Sequence, residues 1–443
     1  MSDGWLKRSV MLRITIIGCL TIVMLIPSLL IMELISDREQ TRDKTTADVS
    51  EQWGGKQTLA GPILTLPFKR MLRTEKGDAR FVIEHLQLLP EKVAFTTTTS
   101  PEVRYRGIYQ VILYNSVVNL QGTFSLDGLY GMNIKEEDVL WDEAALAIGI
   151  SDLKGVKEAV TVRWGGKEFT AEPGVGACNA LRSGISIKPT VSAGARQYTF
   201  AASINLNGSE ELQFVPVGKE THVTLSSSWT SPSFIGRFLP DQRTVQADGF
   251  SAEWKVLHLN RNFPQQWISE RVSDGDEKIE INPFAFGVKL ISPIDEYQQT
   301  MRSAKYAIMF IALTFLAFFL TEVLNKKAVH PVQYALIGFA LVLFYCLLLS
   351  LSEHMTFATA YAISSVAIIL LVAGYAGSVF GSYSFAATIS FFLALLYTFL
   401  FVILQQEDYA LLFGSIGLFA VLALVMYLTR KIDWYSIGKT ENA

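Results

Sequence analysis

The sequence predicts a membrane protein of α+β class: an N-terminal signal-anchor helix, a large antiparallel β-sandwich-like periplasmic domain and a C-terminal five-helix transmembrane bundle, six spans in all. Three observations predict it. Half of the 443 residues are hydrophobic and only 18% are charged, against about 25% in an average soluble domain, so lipid must cover part of the chain. The apolar excess is confined to residues 12–32 and 304–428, while 37–302 has ordinary soluble composition. Within that soluble stretch, short β-branched and aromatic runs recur between turn residues, which is the pattern of a many-stranded β domain.

The first apolar run, Leu12 to Met32, follows Lys7, Arg8 and Arg13. At about 20 residues it exceeds the h-region of a cleaved signal peptide, and it ends without a small-x-small site, so it reads as an uncleaved signal anchor. From Asp37 to Asp48 charges alternate in sign, which suits a helical stalk. Strands are expected at Val82-Ile83, Val93 to Thr99, Val103 to Tyr114, Val117 to Leu126, Val160 to Trp164, Lys167 to Thr170, Tyr198 to Leu206, Leu212 to Val217, Val223 to Trp229 and Ser251 to Leu259. Gly165-Gly166 and Asn207-Gly208 are expected to supply positive φ in tight hairpins, and Asn115-Ser116 to turn another. The sequon Asn207-Gly208-Ser209 is read as the same turn chemistry. No repeat at a fixed period suggests a propeller or solenoid. Cys178 is the lone cysteine of the soluble part and is expected as a buried thiol in a large core.

Five further apolar segments of spanning length follow: Lys305 to Leu324, Val332 to Leu351, Ala358 to Phe380, Phe385 to Leu404 and Tyr409 to Leu428. Hydrocarbon forces each to bond its backbone internally, hence as a helix. Lys7, Arg8, Arg13, Lys326, Lys327, Arg430 and Lys431 fall on one side. The opposite short loops carry Glu353-His354 and Glu407-Asp408, so both termini are expected in the cytoplasm. Tyr306, Tyr334, Tyr409 and Tyr427 suit the headgroup layer at span ends. The expected division is 1–35 for the cytoplasmic N-terminus and first helix, 36–302 for the periplasmic domain with its stalk, 303–431 for the bundle and 432–443 for a cytoplasmic tail.

Chemistry is harder to find. Gly438-Lys439-Thr440 lacks the first glycine of a phosphate loop, since Asp433 stands there. Ser151-Asp152-Leu153-Lys154 matches S-x-x-K, but the companion elements of those acyl-transfer enzymes are missing. The histidines at 85, 222, 258, 330 and 354 have no partner at metal-ligand spacing. The reading is of a non-enzyme with no catalytic residues, metal or cofactor. A net charge of -3 provides no basic stripe, so nucleic acid is not a partner. The expected partners are the bilayer and a periplasmic, cell-wall or lipid component; no pattern sets an oligomeric state.

Ionisable groups at the membrane are the remaining candidates. Glu322 precedes Lys326 by one turn and is expected to pair with it. Arg302, Lys305, Glu353, His354, Glu407 and Asp408 all fall at span ends on one side, where they would clamp the soluble domain to the bundle, hold a cation or stay solvated. His330 joins the candidates at the opposite side.

The segments NPFAFGVKLISPIDEYQQTMRSAKYAIMFIALTFLAFFLTE (282–322), VHPVQYALIGFALVLFYCLLLSLSEH (329–354) and QQEDYALLFGSIGLFAVLALVMYLTRKIDWY (405–435) resemble the CreD family of inner-membrane proteins. Shorter islands, GPILTLPF (61–68), LLPE (88–91), and RGIYQVILY with GTF (106–114 and 122–124), extend the resemblance through the soluble part. It implies an envelope-stress protein under CreBC control, associated with envelope integrity, colicin tolerance and β-lactam response, with no enzyme activity. The leading expectation is therefore a non-enzymatic envelope-integrity protein. The alternative is a lipid or small-molecule carrier or flippase working through the bundle, and a cell-wall hydrolase or transferase is a third reading.

Overall fold

The computed structural model describes residues 10–73, 79–269, 279–291, 295–325, 329–405 and 409–430. The chain divides into two compact units, Lys44–Pro293 and the combination of Met1–Asp43 with Ile294–Ala443.

The strands of the first unit run β1 Gln57–Arg73, β2 Ala79–Leu88, β3 Lys92–Arg106, β4 Tyr109–Ser125, β5 Ala145–Ile150 and β6 Thr161–Trp164. They continue with β7 Lys167–Thr170, β8 Glu172–Pro173, β9 Gly184–Ile187, β10 Gln197–Ser209, β11 Glu211–Val215 and β12 Glu220–Ser227. The last are β13 Pro232–Gly236, β14 Gln242–Gln246, β15 Gly249–Leu257, β16 Gln266–Ser269 and β17 Phe286–Leu290. One sheet has the order β13-β17-β11-β1-β5-β9-β8, with β2 on β1 and β16 on β2; the other is β14-β15-β12-β3-β4-β10-β6-β7. The inner faces of the two sheets share a core, seen where the Phe95 and Phe214 rings meet at 5.1 Å. The expected sandwich is present.

Its pairing is mixed, not purely antiparallel: β1 runs parallel to β11 and β3 parallel to β12. Glu210, at φ 58, stands where the chain leaves β10 in one sheet and enters β11 in the other. Asn207-Gly208 is therefore no hairpin turn. Both residues lie inside β10, opposite Asn115 and Tyr114 of β4. Asn115-Ser116 is likewise mid-strand, opposite Ser100 and Thr99, and the β3–β4 turn is made at Gly107, at φ 64. Asparagine in these positions bonds sideways: Asn115 Nδ2 donates to Asn205 Oδ1 at 2.6 Å and to Asn207 Oδ1 at 3.0 Å. Gly165 and Gly166, at φ 53 and 85, do turn the β6–β7 hairpin as expected.

A second core lies on the far face of the nine-stranded sheet, where Cys178, Leu181, Phe263, Trp267 and Ile281 cover Ala60, Ile63 and Ala147. Strand β1 is consequently buried on both faces, Leu59, Leu64 and Leu66 toward the sandwich and Ala60 and Ile63 toward the cover. A strand covered on both faces needs a continuous apolar run in place of alternation.

The helices of the other unit are α1 Val10–Val23, α2 Leu25–Trp53, α3 Glu296–Lys305, α4 Ala307–Asn325, α5 Pro331–Ser352, α6 Phe357–Phe380, α7 Tyr383–Gln405 and α8 Ala410–Thr429. Of these, α2 continues into the β unit. Among the described residues four are long and apolar enough to cross a membrane: the α1–α2 run, α5, α6 and α7. The pair α3–α4 makes a fifth if it is one span, but it bends by 45°. The span expected from Lys305 is thus a kinked element, with α3 offering Tyr297, Thr300, Ser303 and Ala304 as its buried stripe. The apolar stretch of α8, Leu412–Tyr427, is shorter.

Candidate functional site

Ionisable side chains meet at both ends of α5. At its start, Arg13 of α1 donates from Nη1 to Glu322 Oε1 of α4 at 2.6 Å. The Tyr334 hydroxyl of α5 donates to the other oxygen, Oε2, at 2.9 Å. The Glu322 side chain is only 2% exposed and that of Arg13 27%. The Phe315 ring stands edge-on to Tyr334 at 5.6 Å, so the carboxylate sits among apolar rings with two donors. A buried carboxylate needs such donors, because charge without them is costly in low dielectric. Gly338, one turn further along α5, leaves room for the Met24 side chain, so that a smaller residue admits the neighbouring helix.

Three helices, of which α1 is distant in sequence from α4 and α5, are thus joined through Glu322. The partner expected for it, Lys326, lies outside the described residues, whereas the expectation for Arg13 is only a flanking positive charge and for Tyr334 a ring in the headgroup layer. A signal for Arg13 is present in the sequence: it and Glu322 are opposite charges embedded in apolar segments, and such groups generally pair. His330 has a local role. As N-cap of α5, its Nδ1 accepts from the Val332 N–H at 3.3 Å and its own N–H is received by Gln333 Oε1 at 2.9 Å. Pro331 at the first helical position fits this cap.

At the other end of α5, Glu353 Oε1 accepts from the Tyr297 hydroxyl of α3 at 3.0 Å. Arg42 of α2 pairs with Asp295 Oδ1 at 2.9 Å and lies 5.1 Å from the centre of the Tyr297 ring. Asp295 also caps α3 by accepting from the Gln298 N–H at 3.2 Å. Of the residues expected to converge here, the structure brings Glu353 into this group. His354 and Lys305 are exposed, Arg302 is half-buried in the last turn of α3, and Glu407 and Asp408 lie outside the described residues. A cation that the sequence reading did not include is Arg42, beside Asp295 and hidden in the sequence by the alternating charges of the stalk.

In the β unit, the S-x-x-K residues are committed to the backbone. Ser151 Oγ donates to the Lys56 carbonyl at 2.9 Å and accepts from the Thr58 N–H at 2.9 Å, and Lys154 Nζ donates to the Glu51 carbonyl at 3.3 Å. An open cleft of about 390 Å³ is lined by His222, Thr224, Asp241, Glu253 and Lys255, among others. Beside it Glu220 Oε1 lies 2.9 Å from Lys255 Nζ and 2.8 Å from His222 Nε2, which together hold the carboxyl down at about 2. No group of three or more His, Cys, Asp or Glu able to hold a metal occurs among the described residues.

A family model described as "Inner membrane protein CreD" matches residues 9–435. The chain is 32% identical over 437 residues to the Inner membrane protein CreD of Escherichia coli (strain K12), covering 98% of this chain and 95% of that protein.

Proposed function

This chain belongs to the CreD family of inner membrane proteins, and on that premise we propose that it is a non-enzymatic envelope-integrity protein whose β domain engages the envelope while the helices anchor it. The observation that carries this reading is the placement of the sandwich. Lys44–Pro293 is a single insertion, with two cores of its own, between the first long helix and the following run of apolar helices. The commitment of Ser151 and Lys154 to backbone carbonyls supports a domain that binds and does not hydrolyse. Six spans, cytoplasmic termini and a periplasmic β domain complete the reading, supported by the lysines and arginines gathered at Arg13, Lys326, Lys327 and Arg430. With the family resemblance, this extends to protection under envelope stress, including colicin and β-lactam exposure.

The test is to replace residues 44–293 by a short linker and follow survival under those stresses, with the protein level in the membrane measured alongside. Loss of protection at a normal level is expected. Full protection by the helices alone would overturn the reading.

A second reading, a carrier or flippase for a lipid or small molecule, is favoured by Glu322, an ionisable group buried within the helical unit. It predicts that neutralising Glu353, Glu407 or Asp408 abolishes function without lowering the protein level.

A further inference from the structure

A helical serine or threonine hydroxyl commonly bonds to the carbonyl one turn back, as Ser365 does to Tyr361 at 2.7 Å and Thr321 to Ala317 at 2.8 Å. Thr314 of α4 and Ser364 of α6 do not: both are buried, and neither hydroxyl has a partner among the described residues. The phenol hydroxyls of Tyr345 on α5 and Tyr397 on α7 have none there either. The four residues stand at one level. Thr314 is seven residues in from Ala307, Tyr345 seven from Ser352, Ser364 seven from Phe357 and Tyr397 eight from Gln405, a depth of about 10–12 Å along each helix. Ring contacts join them: Phe344, beside Tyr345, meets Tyr397 at 4.7 Å and Tyr361 at 5.4 Å, and Phe310, one turn before Thr314, meets Tyr397 at 5.4 Å. The Tyr361 hydroxyl donates to the Tyr397 carbonyl at 2.8 Å, and Tyr345, Tyr361 and Tyr397 lie within electrostatic reach of one another. The next turn of α4 brings Phe318, whose ring meets Phe380 of α6 and Tyr334 of α5 at 6.4 Å each, so a layer of rings parts this level from Glu322.

Hydroxyls shut away from solvent without a partner are costly, and in native proteins such groups are bonded to protein or to ordered water. Each hydroxyl here can both donate and accept, which is what a buried water with about three hydrogen bonds requires. Residues 307–321 and the whole of α5, α6 and α7 contain no Asp, Glu, Lys, Arg or His, so an ion at this level would be buried without a counter-charge. Thr314, Tyr345, Tyr361, Ser364 and Tyr397 are each at most 4% exposed, which gives a larger molecule no open mouth. We propose that α4, α5, α6 and α7 bind ordered water at this level, held by the Tyr345 and Tyr397 hydroxyls and completed by Thr314 and Ser364.

Radiolytic footprinting of the full-length protein in lipid nanodiscs tests this. An X-ray pulse turns bound water into hydroxyl radical that oxidises the ring beside it, while radicals formed in bulk do not reach the interior. Corrected for the intrinsic reactivity of each ring, Tyr345, Tyr361 and Tyr397 are expected to oxidise at a rate comparable with the exposed Tyr105, and the equally buried Phe315 and Phe318 to stay unmodified. Tyr345→Phe/Tyr397→Phe keeps both rings and removes the hydroxyls, so the oxidation of Tyr361, which that variant leaves in place, should be lost; a thermal melt checks that it is folded. If it does not fold, Thr314→Val/Ser364→Ala takes its place with the same expectation. Tyrosines as silent as Phe315 and Phe318, phenylalanines oxidised as fast as the tyrosines, or a folded variant in which Tyr361 oxidises as in the parent would each overturn the proposal.

Discussion

Arg13 Nη1 lies 2.6 Å from Glu322 Oε1, which fastens the first apolar helix to one that follows it only after the whole β domain. The Glu322 carboxylate is buried, and Tyr334 supplies its second donor. Removing one member of such a pair leaves an uncompensated charge, which typically costs about 3 kcal/mol. Arg13→Ala is therefore expected to lower the stability of the detergent-solubilised protein by about that much, and Arg13→Leu/Glu322→Leu to recover most of it. Thermal unfolding of the three proteins checks this. An Arg13→Ala melt that overlays the parent would show that the pair stabilises nothing.

Gly208 is a packing glycine in place of the expected turn glycine. A Cβ there would strike the Tyr114 ring and hydroxyl, and that hydroxyl donates to the Glu211 carbonyl at 2.7 Å. Gly208→Ala should cost about 2 kcal/mol through overpacking and the displaced hydrogen bond. Adding Tyr114→Phe to Gly208→Ala should not restore stability, because the ring itself is in the way. Urea unfolding measures both; a neutral Gly208→Ala would disprove the close approach.

The difference at Gly208 shows what the sequence can and cannot disclose. Alternating strands such as β12 and β15 are legible because one face is wet and the other dry. The central strand β1 is not, since burial on both faces removes the period of two and leaves a run resembling any apolar segment. Edge strands such as β14, exposed along its length, escape detection for the opposite reason. Helix positions follow from hydrophobic run length alone, and the kink before Ala307 does not. At the candidate sites, Glu322 and Glu353 stand out as charges in or beside apolar runs. Their partners Arg13, Tyr334 and Tyr297 depend on which helices become neighbours, and no local pattern states that.

Cys178 is buried in the second core, and burial pushes its thiol up to about 11. Thiolate is the reactive form, so at mildly alkaline pH little of it is present and reagent has no access. In a Cys19→Ser/Cys346→Ser background, maleimide is expected to leave Cys178 unmodified until urea unfolds the domain. Mass spectrometry before and after urea decides it. Rapid labelling of the native protein would contradict this cover over the nine-stranded sheet.

Glu220 gives the β domain a dependence on acid pH. Hydrogen bonds from Lys255 and then His222 hold its carboxyl at about 2, below the roughly 4.3 of a free glutamate. A carboxylate with a depressed folded value stabilises the fold above the unfolded value, and that contribution is lost as pH falls from about 4.3 toward 2. Glu220→Gln should thus be less stable than the parent near neutrality by a constant margin, and the margin should close across that interval. Unfolding midpoints taken from neutral to strongly acid pH test the sign. A margin that persists unchanged at the acid end would mean that Glu220 stabilises by shape and not by charge.

Tyr297 and Glu353 join the start of α3 to the end of α5 through one hydrogen bond at 3.0 Å. A charged acceptor makes that bond stronger than a neutral one, about 1.5–3 kcal/mol. Glu353→Gln keeps an acceptor oxygen in the same place, so it should lose only part of this, while Glu353→Ala loses all of it. Tyr297→Phe should match Glu353→Ala, and adding it to Glu353→Ala should cost little more, as a shared interaction requires. The same variants weigh the two functional readings. If Glu353→Gln abolishes envelope protection while stability and membrane level are kept, the carboxylate acts in its own right and the carrier reading gains. If protection instead follows stability through the series, Glu353 is a fastening of the helical unit and the β domain remains the working part.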